Sequence, residues 1–281
     1  MQYIVIDLEW NQPLGPSLMV EEPVRLNGDI IEIGAVRLND DYSAGDVYRG
    51  YVRPQYYTKM NRKVGNLTHI DPKLLLKAPE FAEAWKLFQE WCGEDVCFLV
   101  WGTSDMTMLR ENLRVRGLPC GLPPCCDLQE VFEDQITRDG RQWSLTDAMK
   151  AMNMPMLTAH DASNDAVNTA ALCVHLDMDD LDYFTDYVPR VKDEHTIPEG
   201  GDDAFIREFP CPACGQSVHI EEPLPPDPEA GEEEEDDEPG FRAHCPDCGK
   251  LIVRLKSSML PGKKRRVVRT IYAAAPEPDD E

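Results

Sequence analysis

The stretch Gln2–Glu9, which reads QYIVIDLE, decides the fold. Its short run of apolar and β-branched residues predicts a buried central strand. Asp7 and Glu9 are two residues apart on this strand, so both side chains leave the same face of the sheet. Side-by-side burial of two carboxylates is costly unless a cation or a proton compensates the charge. Such a pair is common in an acidic chain, so on its own it indicates a metal site only weakly.

Strands and helices are predicted to alternate after a first hairpin. The segments 29–38 and 47–52 are predicted strands joined by a turn rich in Asn, Asp and Gly. Further along the chain the periodicity predicts a helix over 72–91, a strand over 96–100, a helix over 105–116, a strand over 125–128 and helices over 144–153 and 161–176. This order predicts an α/β fold with a mixed sheet flanked by helices.

The chain has 281 residues, which is enough for a catalytic domain and a small appended module. After residue 187 the composition shifts toward Asp, Glu, Pro and Gly. We expect a domain over 1–187, a linker over 188–204, a second module over 205–272 and a disordered tail over 273–281. No run approaches the roughly 18 apolar residues of a membrane span, and no basic region precedes the apolar start. We therefore expect a cytoplasmic protein without a membrane partner.

The formal net charge of −24 at first argues against a nucleic-acid partner, because phosphate binding normally draws on Lys and Arg. The charge is unevenly placed, however, since an acidic insert spans about 221–240 and contains the run EEEEDDE at 232–238. Such runs are usually disordered. Carboxylates that hold divalent cations also become locally neutralised. Net charge alone therefore does not decide the partner.

Three further polar residues fall at a predicted strand end or helix start. Asp105 follows the strand 96–100 at the start of a helix, where a capping or first-turn aspartate is the simpler interpretation. His160 lies at the mouth of the last predicted helix, and Asp165 lies one turn inside it. A helix start rich in Asp needs no function, and a lone histidine there is more often exposed and idle. Each signal is weak when taken alone.

Together these residues resemble the DnaQ-like, DEDDh exonucleases of the ribonuclease H-like fold. Asp7 and Glu9 match the family's first motif, D-x-E, and Asp105 lies in W-G-x-x-D-x-x-x-L, which matches the second. The segment 160–166 matches the last motif, H-x-A-x-x-D-A, although Asp161 stands where many members carry a basic or neutral residue. Supporting matches are IEIGAV at 31–36, LTHI at 67–70 and Ser144-Leu145. The resemblance covers roughly the first 180 residues, and its motif order and spacing make it specific.

The resemblance implies phosphodiester hydrolysis assisted by two Mg²⁺ or Mn²⁺ ions, for which carboxylate oxygens are suitable ligands. It implies that Asp7 bridges both ions, that Glu9 and Asp165 complete the shell of one, and that Asp105 holds the other. It also assigns His160 the role of general base, because histidine can gain and lose a proton near neutral pH.

The same resemblance implies contacts with the terminal nucleotide. Trp10, Leu67 and Thr68 would face it, although Trp10 could equally belong to the core. His69 either stacks on the last base or is simply exposed, and the sequence favours neither. Contacts of this kind favour an unpaired strand end, whose bases can be splayed onto side chains.

The second module carries two C-x-x-C pairs, Cys211 with Cys214 and Cys245 with Cys248. Four thiolates in two pairs are what a structural tetrahedral Zn²⁺ requires. The spacing between the pairs is longer than is usual because the acidic insert lies between them. We expect a small C-terminal zinc-ribbon-like domain with one structural Zn²⁺.

The partner of this module stays open at the level of sequence. The basic run 263–266 and Arg269 could hold nucleic acid, or the module could dock a protein partner.

Three functions compete. The leading one is a metal-dependent 3′-to-5′ exonuclease that hydrolyses phosphodiester bonds at the 3′ end of single-stranded nucleic acid, with RNA as the preferred substrate. The alternative within catalysis is a DNA proofreading or repair exonuclease. The alternative outside catalysis is a nonenzymatic nucleic-acid-binding scaffold, which is disfavoured because all five catalytic positions are filled.

Overall fold

The chain forms two compact units, one of Met1–Pro119 and Pro123–Thr185 and the other of Cys120–Leu122 and Asp186–Glu281. The computed structural model describes residues 1–22, 25–119, 121–181, 185–186, 191–197, 207–211, 216–224, 240–246, 249–261 and 264–273. Among these residues, no helix combines the length and the apolar content that crossing a membrane requires.

The first unit alternates strands and helices. Its elements in chain order are β1 (Gln2–Asn11), β2 (Asp29–Leu38), β3 (Ala44–Tyr51), α1 (Arg62–Thr68), α2 (Pro72–Leu75), α3 (Phe81–Cys92), β4 (Val96–Val100), α4 (Ser104–Val115), β5 (Cys125–Asp127), α5 (Leu128–Phe132), α6 (Leu145–Ala151), α7 (Ala162–Cys173) and β6 (Thr185–Asp186). The strand order in the sheet is β3-β2-β1-β4-β5-β6. β1 pairs antiparallel with β2 and parallel with β4. The predicted mixed sheet flanked by helices is therefore confirmed.

β1 and its neighbours form the centre of the sheet because their side chains are apolar on both faces. Ile4, Val5 and Ile6 are almost completely buried. On one side α3 buries Phe81, Trp85 and Phe88, which recur at helical spacing. The aromatic rings bring large apolar area to this layer, which makes it a main source of stability for the unit.

Two local predictions differ from the structure. The helix predicted over 72–91 is two helices, α2 and α3, because Pro79 lies between them and lacks the N–H that a helix interior needs. The sequence predicted no helix around Leu67 and Thr68, which form the end of α1. Asn61 starts this helix by accepting a hydrogen bond from Lys63 N at 2.9 Å.

Gly34 brings the last helix of the unit against the sheet. It pairs with Asp7 across β1 and β2. A β-carbon at Gly34 would lie 2.1 Å from the carbonyl carbon of Ala162 and 2.2 Å from Ser163 N. The first turn of α7 therefore lies directly over Gly34, the cross-strand partner of Asp7, and only a glycine at this position allows so close an approach.

The second unit is an antiparallel sheet. It contains β7 (Val191–Ile197), β8 (Glu208–Pro210), β9 (Ser217–Pro223), β10 (Gly240–Cys245), β11 (Gly249–Leu260) and β12 (Lys264–Ala273), in the spatial order β7-β12-β11-β10-β9-β8. Its small core includes Phe209, Val218, Leu251, Val253 and Ile271.

The linker predicted over 188–204 is wrong in its middle, because 191–197 forms β7 and pairs with β12. The sequence of this strand, VKDEHTI, is rich in charged residues, so its composition is that of a linker and did not predict a strand. β7 is at the edge of the sheet, where charged side chains are tolerated and discourage further strand pairing. The acidic insert is shorter than 221–240 at its start, because β9 extends to Pro223; residues 225–239 and the tail from 274 lie outside the described residues.

We expect Gly34→Ala to lower the free energy of unfolding by at least about 2 kcal/mol, because the added methyl group overpacks against the backbone of α7. Urea unfolding measures the change. Gly15→Ala is the matched control: no atom lies within 4 Å of its added β-carbon, and we expect a change within about 0.5 kcal/mol. Equal stability of the two variants would contradict the close packing of α7 on β2.

Candidate functional site

A cavity of about 450 Å³ collects the polar residues that the sequence singled out. Its wall is built from β1, α1, α4, the segment before α7 and α7 itself. The residues that line it are Asp7, Leu8, Glu9, Trp10, Gln12, Lys63, Val64, Leu67, Thr68, Asp105, His160 and Asp165. All five residues predicted to be catalytic therefore meet in one cavity, although they are spread over more than half of the chain.

Asp105 is held beside β1 by a backbone hydrogen bond. Its Oδ1 accepts from Leu8 N at 2.8 Å, and the side chain is only 7% exposed. Thr103, rather than Asp105, occupies the N-cap position of α4. Asp105 therefore lies in the first turn of α4, as the simpler interpretation allowed, but it does not cap the helix, and its carboxylate is bound to the central strand between Asp7 and Glu9.

Asp165 is anchored to the segment that carries His160. Its Oδ2 accepts from His160 N at 2.7 Å, and its Oδ1 accepts from Asn168 Nδ2 at 3.3 Å. His160 is exposed and has a φ of 62°, a left-handed conformation that is uncommon outside glycine. Potential ligand atoms of Glu9, His160 and Asp165 all lie within 4.8 Å of one another. This spacing allows the three side chains to share one metal ion.

Glu32 and Arg49 are site residues that the sequence did not single out. Glu32 is fully buried, pairs with Glu9 across the two strands and accepts a hydrogen bond from Arg49 Nε at 2.6 Å. Arg49 also forms an ion pair with Asp161, which is the N-cap of α7. Asp161 therefore connects β3 to the segment that carries His160. A charged residue inside the buried strand 29–38 was the available signal, because burial of an isolated charge is costly.

The carboxylates of the cavity raise one another's pKa. Burial raises the pKa of Asp7 well above its usual value, and the charges of Asp105, Asp165 and Glu9 raise it further. Burial followed by Asp165 and other carboxylates raises the pKa of Glu9 to about 8. Burial raises the pKa of Asp105 to about 7 even though the hydrogen bond from Leu8 N lowers it. These groups cannot all be ionised near neutral pH unless a cation is bound.

The donor set fits a hard divalent cation. Carboxylate oxygens from Asp7, Glu9, Asp105 and Asp165 are the ligand type that Mg²⁺ and Mn²⁺ prefer. The pKa values of these carboxyl groups are raised in part because the groups repel one another when ionised. A bound divalent cation would neutralise that negative charge.

The predicted substrate contacts are only partly brought together. Trp10 is half-buried and lies so close to Gly28 that a β-carbon there would be 2.2 Å from the indole Cδ1. Leu67 is 48% exposed and lines the cavity. Thr68 also lines it, but its hydroxyl donates to Val64 O at 3.1 Å within α1.

His69 lies outside the cavity lining. It is exposed and caps α1 in a left-handed conformation with a φ of 56°. Stacking of His69 on the last base stays a prediction.

Asn11 joins the end of β1 to the helix that carries Leu67 and Thr68. Its Nδ2 donates to Tyr57 O at 2.6 Å and to Lys59 O at 3.0 Å, and its Oδ1 accepts from Asn61 N at 2.8 Å. The side chain is 1% exposed. α1 is thus held against the same strand that supplies the carboxylates.

The cysteine pairs of the second unit are partly described. Cys211 and Cys245 are buried in one apolar cluster, whereas Cys214 and Cys248 lie outside the described residues. Cys211 directly follows β8, and Cys245 is the last residue of β10. Because β9 and β10 are antiparallel, the start of β9 and the end of β10 lie at the same end of the sheet. The two turns that would carry the thiolates therefore begin close together.

Comparison with known proteins places the first unit in a family. The family model described as Exonuclease (RNase_T) matches residues 4–173, which include all five predicted catalytic residues. The DNA polymerase III PolC-type of Staphylococcus haemolyticus (strain JCSC1435) is 25% identical over 147 residues, which are 52% of this chain. The matched part is only 10% of the length of that relative.

Two solved structures share the fold. The nuclease domain of 3′hExo, a DEDDh family member bound to rAMP, is 22% identical with a TM-score of 0.56, over 64% of this chain and 93% of that one. A 3′-exonuclease in a structure of 3′-end-specific recognition of a histone mRNA stem-loop is 20% identical with a TM-score of 0.54, over 66% of this chain and 84% of that one. At these identities the likeness shows the fold alone.

We expect the protein without divalent cations to lose thermal stability as the pH rises from about 5 to about 8. Above pH 4.5 the unfolded Glu9 is ionised, but the folded Glu9 keeps its proton until about pH 8, so folding is favoured less as the pH rises. Mg²⁺ or Mn²⁺ should raise the melting temperature, and the increment should grow with pH.

Glu9→Gln removes the ionisable carboxyl group of Glu9 from the cavity. Without metal we expect it to raise the melting temperature at about pH 8 by at least about 2 °C and to shrink the increment that metal gives. Glu83→Gln, an exposed change on α3, is the control and should do neither. A melting temperature of the metal-free protein that rises across this pH range would contradict the electrostatics of the cavity.

Proposed function

The chain belongs to the Exonuclease (RNase_T) family, and we propose that it is a metal-dependent 3′-to-5′ exonuclease acting on the 3′ end of single-stranded nucleic acid, with RNA preferred. The observation that carries the proposal is the meeting of four carboxylates and one histidine in a single cavity. A nonenzymatic scaffold would gain nothing from carboxylates whose mutual repulsion destabilises the fold.

The metal ligands follow from the donor set. Asp7, Glu9, Asp105 and Asp165 would hold the two Mg²⁺ or Mn²⁺ ions. When bound, the ions supply positive charge that stabilises the negative charge developing on the phosphate oxygens. The hydrogen bonds of Asp105 with Leu8 N and of Asp165 with His160 N fix these two carboxylates before any ion arrives.

His160 takes the proton from the attacking water. Its exposure at the mouth of the cavity lets it pass that proton on to solvent, and its position depends on the backbone hydrogen bond to Asp165. Arg49 is a positioning residue, because it holds Asp161, the residue that follows His160 in the chain.

The terminal nucleotide occupies the cavity between Trp10 and α1. A volume of about 450 Å³ lies within the range of sites for molecules of nucleotide size. Leu67 presents an exposed apolar surface to the last base, and Lys63 offers a cation to the strand's phosphates. A cavity of this size favours an unpaired end, because a paired base would have to leave its stack to enter.

RNA is preferred because the two solved structures that share the fold are described with rAMP and with a histone mRNA stem-loop. A second candidate, a DNA proofreading exonuclease, is favoured by the likeness to a DNA polymerase III PolC-type. The substrate assay below separates the two.

The second unit binds one structural Zn²⁺ through Cys211, Cys214, Cys245 and Cys248. The burial of Cys211 and Cys245 in one cluster and the adjacency of their turns support this assignment.

We expect the purified protein with Mg²⁺ or Mn²⁺ to shorten 5′-labelled single-stranded RNA stepwise from its 3′ end. Asp7→Asn should lower the rate at least about 100-fold, because several kcal/mol of charge stabilisation are lost. Asp46→Asn, an exposed change on β3, should stay within about twofold of the wild type. Removal of nucleotides from the 5′ end, or no shortening with either metal, would contradict the proposal.

Two further comparisons use the same assay. His160→Asn should lower the rate by about 10² to 10⁴, whereas His69→Asn, outside the cavity, should have little effect. Faster shortening of single-stranded DNA than of RNA of the same sequence would favour the DNA alternative.

We expect metal analysis to find about one zinc per chain. Cys245→Ala should remove it, whereas Cys92→Ala, a change at a buried cysteine of α3, should leave it bound. Zinc retained by Cys245→Ala, or a folded wild type without zinc, would refute the site.

A further inference from the structure

A second cavity of the first unit, with a volume of about 510 Å³, lies next to the cavity that collects the carboxylates. The two cavities share no lining residue, but their walls adjoin in the chain at two places. Trp10 lines the first cavity, and Asn11, the next residue, lines the second. Lys63 lines the first cavity, and Lys59 lines the second. The end of β1 and the segment 59–63 therefore lie between the two cavities.

Asn11 limits the distance between the cavities. Its buried side chain donates to Lys59 O at 3.0 Å and accepts from Asn61 N at 2.8 Å, so the start of the segment 59–63 is tied to the end of β1. Even when fully extended, this segment spans at most about 14 Å. A stacked strand carries one phosphate for about every 3.4 Å, so at most about four nucleotides separate the two cavities.

The wall of the second cavity is mainly apolar. Its apolar lining residues are Pro54, Met60, Pro72, Leu75 and Leu76. Leu76 is 73% exposed, the largest exposed fraction among the large apolar side chains that the structure describes. An apolar wall with a few polar groups at its rim is typical of a site for a flat organic ring, because packing of the ring removes this surface from water.

The segment between the cavities is cationic. None of the 52 acidic residues of the chain lies in the stretch 47–70. Lys59, Arg62 and Lys63 are exposed, and in the described part of the chain their side chains form no hydrogen bond and no ion pair. Lys63 faces the carboxylates of the first cavity, whereas Lys59 lines only the second. Lys59 and Arg62 are therefore available to the charge of a ligand.

The carboxylates on the neighbouring elements have other partners. Asp29 accepts hydrogen bonds from three backbone amides of residues 55–57 and forms an ion pair with Arg116. Asp71 caps α2, and Glu80 forms an ion pair with Arg53 at 2.7 Å. These carboxylates are thus already engaged and do not neutralise the cations between the two cavities.

We propose that the second cavity binds an upstream base of the substrate strand, while Lys59 and Arg62 bind the phosphates between this base and the terminal nucleotide. The inference rests on the proposed function, since it takes the substrate to be a nucleic acid. Every base has an apolar face, and phosphate contacts are independent of sequence, so this site suits an enzyme that removes any terminal nucleotide. It also favours strands that are long enough to reach both cavities.

The first test compares substrates of two lengths. The full-length variant Lys59→Gln, Arg62→Gln is compared with Lys86→Gln, Lys150→Gln, which removes the same charge from exposed positions elsewhere in the first unit. We expect the first variant to lower kcat/KM at least about fivefold for a single-stranded RNA of about eight nucleotides with Mg²⁺. For a dinucleotide it should stay within about twofold of the wild type, because so short a strand reaches only the first cavity. The control should match the wild type on both.

The second test concerns the base. Leu76→Asn should weaken binding of the same longer RNA about fivefold, measured with EDTA so that the strand stays intact. Leu87→Asn, at an exposed leucine of α3 outside the second cavity, is the control and should have no effect. On an RNA that lacks the bases upstream of its last two nucleotides, Leu76→Asn should bind as tightly as the wild type.

The outcomes separate this inference from the proposed function. Equal loss on both lengths by the Lys59→Gln, Arg62→Gln variant, or no loss on the longer RNA, would overturn the phosphate contacts. Wild-type binding by Leu76→Asn would overturn the base site. If the wild type cleaves neither RNA, the proposed function fails. Binding with EDTA still tests the second cavity, because the Lys59→Gln, Arg62→Gln variant should then reduce the slope of log K against log salt by about 1.4.

Discussion

The burial of several carboxylates beside the central strand is the constraint to which the rest of the site is adapted. Arg49 lowers the pKa of Glu32 and so partly offsets the cost of burying it. The neighbours that act on Asp7 are carboxylates, and all of them raise its pKa. The two acids are close in space but differ in kind: Glu32 has its counter-ion within the protein, whereas Asp7 needs one from solution. Burial of these carboxylates costs free energy, but it creates a site where a divalent cation binds strongly.

Backbone amides hold this arrangement in place. Leu8 N donates to Asp105, His160 N donates to Asp165, and Ala162 N lies 3.4 Å from Glu32 Oε2. Amide donors stabilise a charged carboxylate without adding a side chain that would fill the cavity. These amides can reach the carboxylates only if β1, β2 and α7 approach closely. Gly34 on β2, which lies opposite Asp7, permits that approach. The geometry of the acids thus depends on backbone packing more than on side-chain contacts.

The sequence predicted the parts of this structure that depend on local pattern. The buried strands were evident from continuous apolar runs. The five cavity residues were found because their motifs, each weak when taken alone, together resemble those of one family. Arg49 was missed because its partners, Glu32 and Asp161, are 17 and 112 residues away. α1 was missed because Gly65 and the β-branched residues Val64 and Thr68 give it little helix propensity. Its place is set by Asn11, a tertiary contact. β7 was missed because its stability comes from pairing with β12 and its composition is that of a linker.

Charge screening resolves the apparent conflict between the net charge of −24 and the proposed nucleic-acid substrate. Charges in solution are screened over about 8 to 10 Å at physiological salt, so a strand senses the surface it touches and not the net charge of the chain. Carboxylates loaded with divalent cations would be locally neutral or positive, so the cavity can accept a phosphate in an acidic protein.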